Sequence, residues 1–217
     1  MREQHELFLE GYLWGGGFWE ESYYVGTAGD VSTDTIELSS CSSSAPFLQG
    51  EVHRGGMHER AAEFADRARD RYGVDLDVSE FGSGTETAAA AAEAIGCETA
   101  AIASTIVVAL AGSNRDGDLV AAITSGANRL DLDAVANHYG AETASMADPG
   151  DIRSVVGWSI GGVPPICHDT ALPITVDPTL THYDVVHAAA GTPSAVFAVE
   201  PDRLVDLANA DVVDLTE

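Results

Sequence analysis

Cys167 and His168 stand side by side after the loop Gly161-Gly162-Val163-Pro164-Pro165-Ile166. A thiol beside an imidazole could form a nucleophile–base pair or supply two ligands of a metal site. In an extended segment, however, neighbouring side chains point to opposite sides, so each would need its own partner. A half-buried cysteine is the simpler reading of Cys167, while His168 stays open as a candidate on its loop. Carboxylates recur at i and i+2, as Asp75/Asp77 and Asp131/Asp133, a spacing that puts both on one face of a strand. In so acidic a chain they read as solvated surface. No GxSxG, HExxH, P-loop or GxGxxG stretch occurs.

Three glycine loops carry more information. Gly161-Gly162 before two prolines makes a rigid wall with few side chains. Ser125-Gly126-Ala127-Asn128-Arg129 leaves one apolar run and enters a helix-like one, and Ala189-Ala190-Gly191-Thr192-Pro193-Ser194 turns a hairpin. Glycine lets backbone approach a ligand closely. Three such loops in one small domain suggest a pocket for a compact ligand read partly by backbone groups, although turn chemistry alone explains any one of them.

The elements that must position these loops divide the chain in two. Residues 1–56 are rich in glycine and serine and lack a sustained period of two or 3.6. They read as a disordered tail or a mis-assigned N-terminal extension, with Met57 as the expected start of translation. A flexible tail whose Trp14, Phe18, Trp19, Tyr23 and Tyr24 dock on a partner is the alternative. From residue 57 onward the pattern predicts helices over 57–72, 87–95, 132–139 and 201–208, with another opening at Asp148-Pro149. Strands are expected over 102–111, 118–124, 159–163, 185–189, 195–199 and 212–215. Hairpins mixed with short helices indicate an α+β single domain, a mixed, mostly antiparallel sheet flanked by short helices.

All ten cationic residues are arginine, against 35 acids, for a net charge of −25. Asp and Glu in place of Lys suit a protein that stays dissolved in concentrated salt, where the Debye length falls to about 3 Å and self-repulsion is screened. A salt-adapted, halophilic cytoplasmic protein is therefore expected. Three widely spaced cysteines argue against a disulfide framework or a CxxC metal site. No apolar run reaches the roughly 18 residues of a membrane span.

The order of loops resembles the YbaK/ProX family of aminoacyl-tRNA deacylases, also found as a prolyl-tRNA synthetase-associated domain. The residues that carry it are Thr85-Glu86-Thr87-Ala88, Ile102-Ala103-Ser104-Thr105-Ile106, Ser125-Gly126-Ala127-Asn128-Arg129, Gly157-Trp158-Ser159-Ile160-Gly161-Gly162-Val163-Pro164-Pro165, Leu172-Pro173-Ile174 and Ala189-Ala190-Gly191-Thr192-Pro193. The likeness covers nearly all of 57–217. It implies a YbaK-like fold, no cofactor and no metal. It implies hydrolysis, in translation proofreading, of the ester joining a small wrong amino acid, such as Ala or Cys, to a tRNA 3′ end. The expected partners are that aminoacyl-tRNA end and an aminoacyl-tRNA synthetase, with no DNA and no membrane. By position, the family's lysine falls at Ser104 and its neighbouring hydroxyl at Thr105, which makes these the catalytic candidates, with His168 beside them. Gly126, Asn128, Arg129, Gly157, Gly161, Gly162, Pro164, Gly191 and Thr192 are the expected substrate-binding positions.

The departure at Ser104 matters, because a serine cannot supply positive charge to a phosphate or a developing oxyanion. Arg129 is the cation nearest a motif that could substitute. A serine nucleophile would need a base beside it, and His168 is the one on a pocket loop. A non-catalytic relative that binds aminoacyl-adenosine or an amino acid is the alternative function. Residues 57–217 hold 26 acids and eight arginines, so their surface offers little of the phosphate neutralisation on which nucleic-acid affinity usually rests.

Overall fold

Phe64 organises the first helix, α1 (Glu59–Tyr72). With Ala61 and Ala68 it forms a fully buried stripe at i, i+3 and i+7. Its ring packs edge-on to Trp158 at 6.2 Å and tilted on Phe197 at 5.0 Å. The helix stops at Gly73, whose φ of 67° supplies the left-handed cap that a side chain would resist. Helix α2 (Ala88–Ile95) starts where the Thr87 hydroxyl accepts from Ala90 N, and α3 (Leu132–Tyr139) where Asp131 accepts from Asp133 N and Ala134 N.

The computed structural model describes residues 56–82, 87–112 and 118–217, all within one compact unit. The expectations for 1–55, for Thr85-Glu86 and for the turn at 113–117 lie outside the described residues. The strands are β1 (Val78–Glu80), β2 (Ile102–Ala111), β3 (Leu119–Ser125), β4 (Thr143–Met146), β5 (Ile174–Val176), β6 (Val186–Ala189), β7 (Ala195–Val199) and β8 (Asp211–Val212). They form one mixed sheet in the order β1-β7-β6-β2-β3-β5-β8, with β4 joined to β2 off that path. Short helices flank it, including α4 (Pro149–Asp151), which runs into a π-turn at Ile152–Val156, and α5 (Pro201–Ala208). The domain is α+β, as the mixture of hairpins and short helices predicts.

The strand expected at 159–163 does not form. Those residues make a turn closed by Gly162 N donating to Ser159 O at 3.1 Å, because Gly161 takes φ 84° and breaks the pleat. The last strand is shorter than expected, and Thr216 instead bridges Leu130 beyond it. Three strands, β1, β4 and β5, carry too few residues for a visible period of two.

Alternation along β2 separates two cores. Ala103 and Val107 point into the larger, with α1, Trp158, Ile166 and Cys167. Ile102 faces α2, and Val108 and Leu110 face Val135 of α3. Ser104 therefore shares the face of Ile102 and Ile106, and Thr105 the face of Ala103 and Val107.

Candidate functional site

β2 is long, and two strands share one of its edges. β6 runs parallel to its start, Ile102 opposite His187 and Ala103 opposite Ala188. β4 runs antiparallel to its end, from Val108 opposite Met146 to Ala111 opposite Thr143. Between them, among the described residues, no strand pairs with that edge from Ser104 to Val107; Ala147 N alone reaches Val107 O, at 3.1 Å. The sheet is split beside Ser104, Thr105 and Ile106. Unpaired strand edge presents backbone donors and acceptors to whatever enters.

Two of the glycine loops meet next to this split. The tip of the β6–β7 hairpin, residues 190–194, follows the point where β6 leaves β2. Gly162 lies against its backbone: a Cβ on Gly162 would stand 2.6 Å from Thr192 Cα. Gly161 faces Pro193, and a Cβ on Gly191 would meet the Trp158 ring at 2.6 Å. Gly162, Pro164, Gly191 and Thr192 are buried, while Gly161 remains open. The closeness of the two loops depends on the missing side chains.

The segment around Gly161 is a closed loop. Asp169 N donates to Val156 O and Thr170 N to Val155 O, both at 3.1 Å, which pins its base. Trp158 Nε1 donates to Cys167 O at 3.0 Å across it. Gly157, at φ 82°, passes so close to Asp169 that a Cβ there would overlap the carboxylate. Arginines of α1 hold the loop from outside. Arg60 donates to Gly157 O and its guanidinium lies 4.3 Å from the Trp158 ring centre. Arg67 pairs with Asp169 at 2.5 Å and reaches Cys167 O at 3.3 Å, and Arg71 donates to His168 O. Sequence reasoning missed this clasp, although the spacing i, i+7, i+11 along one helix was its visible signal.

His168 belongs to the same scaffold. It is 7% exposed, and Nε2 lies 2.7 Å from Pro164 O. A carbonyl only accepts, so Nε2 carries the proton and the lone pair is on Nδ1. Burial lowers its pKa, further depressed by the Arg71 charge though opposed by the Pro164 bond. Through Arg71 and the Cys167 neighbourhood it is tied to the α1 side of the sheet, whereas Ser104 faces α2 and α3. Cys167 is no thiolate partner: burial pushes its thiol up to about 11.

Ser104 and Thr105 flank the split from opposite faces. Ser104 is half-buried, directly opposite Thr124 on β3. The Thr105 hydroxyl is fully enclosed and has no hydrogen-bond partner among the described residues, a costly arrangement for a buried polar group.

The third glycine loop lies along the other edge of β2. Gly126 N donates to Ile102 O at 2.7 Å, and a Cβ there would stand 2.6 Å from Thr99 O. Asn128 Nδ2 donates to Asp177 Oδ2 and Thr179 Oγ1, both at 2.9 Å. Asp177 is buried; burial alone would raise its pKa, but donation from Ser125 N, Thr179 N and Asn128 outweighs this and holds it below the usual carboxylate range. Arg129 points outward, its side chain 82% exposed and 3.8 Å from Glu217. Arg129 thus does not reach the loops beside the split, whereas Arg153 approaches Ser159 Oγ at 3.5 Å.

Among the described residues, no cluster of three or more His, Cys, Asp or Glu side chains could hold a metal ion, and no helix is long and apolar enough to cross a membrane. Two surface cavities, of about 310 and 280 Å³, are lined by none of the expected site residues.

The aminoacyl-tRNA editing domain model matches residues 83–207. Two solved structures align along almost their whole length. One, described as a candidate trans-editing enzyme for prolyl-tRNA synthetase, is 35% identical with a TM-score of 0.68, covering 75% of this chain and 99% of its own. The other, from work on grafting epitopes onto scaffold proteins, is 33% identical with a TM-score of 0.67, covering 74% and 99%. A hypothetical protein at 24% identity and TM-score 0.62 shares the fold. The chain belongs to the aminoacyl-tRNA editing domain family.

Proposed function

We infer that this protein is an aminoacyl-tRNA deacylase acting in trans, hydrolysing the ester of a small mischarged amino acid of the Ala or Cys class. The interrupted sheet carries this reading: the β2 edge beside Ser104 and Thr105 has no strand partner among the described residues, and two glycine loops pack against each other next to it. We take these loops to bound the amino-acid pocket, so that it accepts a small side chain and excludes a large one, the size discrimination a synthetase's own site achieves poorly. The unpaired β2 edge offers backbone hydrogen bonds to the terminal adenosine and the ester. Ser104 donates to the ester carbonyl oxygen as it gains charge. A neutral donor is weaker here than a cation; losing a preorganised charge-stabilising group costs on the order of 10² to 10³ in rate. Gly157 and Pro164 shape the pocket loop, Gly126 holds the start of β2, and Asn128 ties that loop to Asp177 and Thr179. The setting is a salt-rich cytosol, supported by the arginine-only, −25 composition. A synthetase is the natural donor of the mischarged tRNA.

Ser104 itself favours a second reading, a non-catalytic relative that binds an aminoacyl-adenosine end. Deacylation of a panel of mischarged tRNAs in high-potassium buffer separates the two. Turnover by the natural protein that falls at least tenfold in Ser104→Ala supports hydrolysis through the hydroxyl. No turnover in the natural protein, with activity gained in Ser104→Lys, assigns a binding role.

A further inference from the structure

Once His168 is tied to the α1 side, Ser104 needs another group to handle protons, and the strand register supplies one. His187 sits on β6 directly opposite Ile102 of β2. Register partners on neighbouring strands point to the same face, and so do residues two apart along a strand. His187, Ile102 and Ser104 therefore share one face. On strands that stay paired, a diagonal offset of two residues separates side-chain origins by roughly 7–8 Å; β6 has left β2 by Ser104, so the ring and the hydroxyl meet through a water held between them. β6 leaves β2 after Ala188, one residue beyond His187, which puts the ring close to the split.

The surroundings suit a proton acceptor. His187 is half-buried, and among the described residues its ring makes no hydrogen bond or ion pair. Directly beside it are Ile102 and Ser104 from β2 and Ala198 from β7, and beyond Ala198 a surface hollow brings Asp75, Asp77, Glu200 and Arg203 together with Val185. The nearest ionisable residues on its own segment are Tyr183 and Asp184. Tyr183 donates its hydroxyl to Glu98 at 2.9 Å, and Glu200 follows the end of β7. Burial lowers the His187 pKa, with no charge contributing, so the ring is neutral at pH 7.

We propose that His187 is the general base of the hydrolysis, a role that rests on the deacylase reading. The imidazole takes a proton from a water held between it and Ser104. The water oxygen forms a bond to the ester carbonyl carbon, and Ser104 Oγ–H donates to the carbonyl oxygen. As the bond to the ribose oxygen breaks, the imidazolium returns the proton to that oxygen. The free amino acid and the tRNA 3′ hydroxyl leave, and the ring is again neutral.

The test compares the full chain with His187→Gln and His168→Gln on alanine- and cysteine-mischarged tRNA from pH 5 to 8. In the natural protein kcat falls below an inflection under pH 6.5. His187→Gln lowers kcat on the order of 100-fold, leaves KM within about threefold and abolishes that acid limb. An unchanged kcat in His187→Gln, or an acid limb that disappears only in His168→Gln, overturns the proposal. NMR titration of His187 in the natural protein adds a check independent of the variant's folding. Adding a non-hydrolysable amide analogue of alanyl-adenosine shifts its pKa; an unmoved pKa with the analogue bound argues His187 away from the site. A natural protein without turnover overturns the deacylase reading itself before any variant is compared.

Discussion

Gly162 shows how far one missing Cβ determines the site. Its α-carbon faces the Thr192 backbone, which cannot swing aside as a flexible side chain would. Gly162→Ala must push the two pocket loops apart. The expected result is a fall in kcat/KM on the order of 100-fold, with an unfolding free energy lowered by about 1–3 kcal/mol, read by deacylation kinetics and urea denaturation. Gly161, which meets only Pro193 at 3.4 Å, carries its constraint in a φ of 84° instead. The sequence made both glycines visible and could not distinguish their reasons. Asn128 is the opposite case. The resemblance implies substrate contact there, and in the structure its amide donates to Asp177 and Thr179, partners that depend on β3 lying beside β5.

At the scale of elements, α1 is more than a cover for the sheet. Its buried stripe packs the core while its arginines grip both ends of the pocket loop. The helix lies before the residues matched by the family model, 83–207. Arg67→Gln removes the pair with Asp169 and the bond to Cys167 O. Partly exposed pairs contribute little to stability, so the unfolding midpoint should barely move. A loop displaced by a fraction of an ångström should still cost on the order of tenfold in kcat. Equal losses of stability and activity would reduce the clasp to packing. The sheet split belongs to this scale too. β2 was legible as a strand from its apolar run, but neither β4, four residues long, nor the parallel pairing of β6 leaves a mark in sequence.

For the whole molecule, charge and burial set the response to solution conditions. The net charge of −25 opposes tRNA at low salt, so raising KCl from about 0.1 to 2 M should lower or leave unchanged the KM for tRNA. Most nucleic-acid-binding proteins show the opposite slope, and KM measured across the series decides it. The pH response follows from the histidines. Burial lowers the pKa of His168 and His187 in the folded state. Unfolded, each titrates near 6.5, so below that pH the unfolded chain binds more protons than the folded one. Stability is therefore complete above about pH 6.5 and declines as the pH falls. Each unit by which burial depresses His168 corresponds to about 1.4 kcal/mol. Urea midpoints at pH 7.5 and 5.5 measure the loss, and His168→Asn should shrink it. A midpoint unchanged between these pH values would contradict the burial of both rings.

The sequence by itself determined most of the longer elements, the glycine loops and the family, because these depend on local preference and on the order of short motifs. Ile102–Ala111 and Leu132–Tyr139 follow directly from their apolar patterns. Tertiary structure decided which groups share a space. A strand's alternation fixes that Ser104 and Thr105 part company, but only the strand's neighbours say which core each one faces. The same register turned Ser104 away from His168, a partner suggested by loop position, and toward His187, which the sequence reading did not single out within the strand expected at 185–189. Contacts between residues far apart in the chain arise from packing over many elements, and no local pattern encodes them.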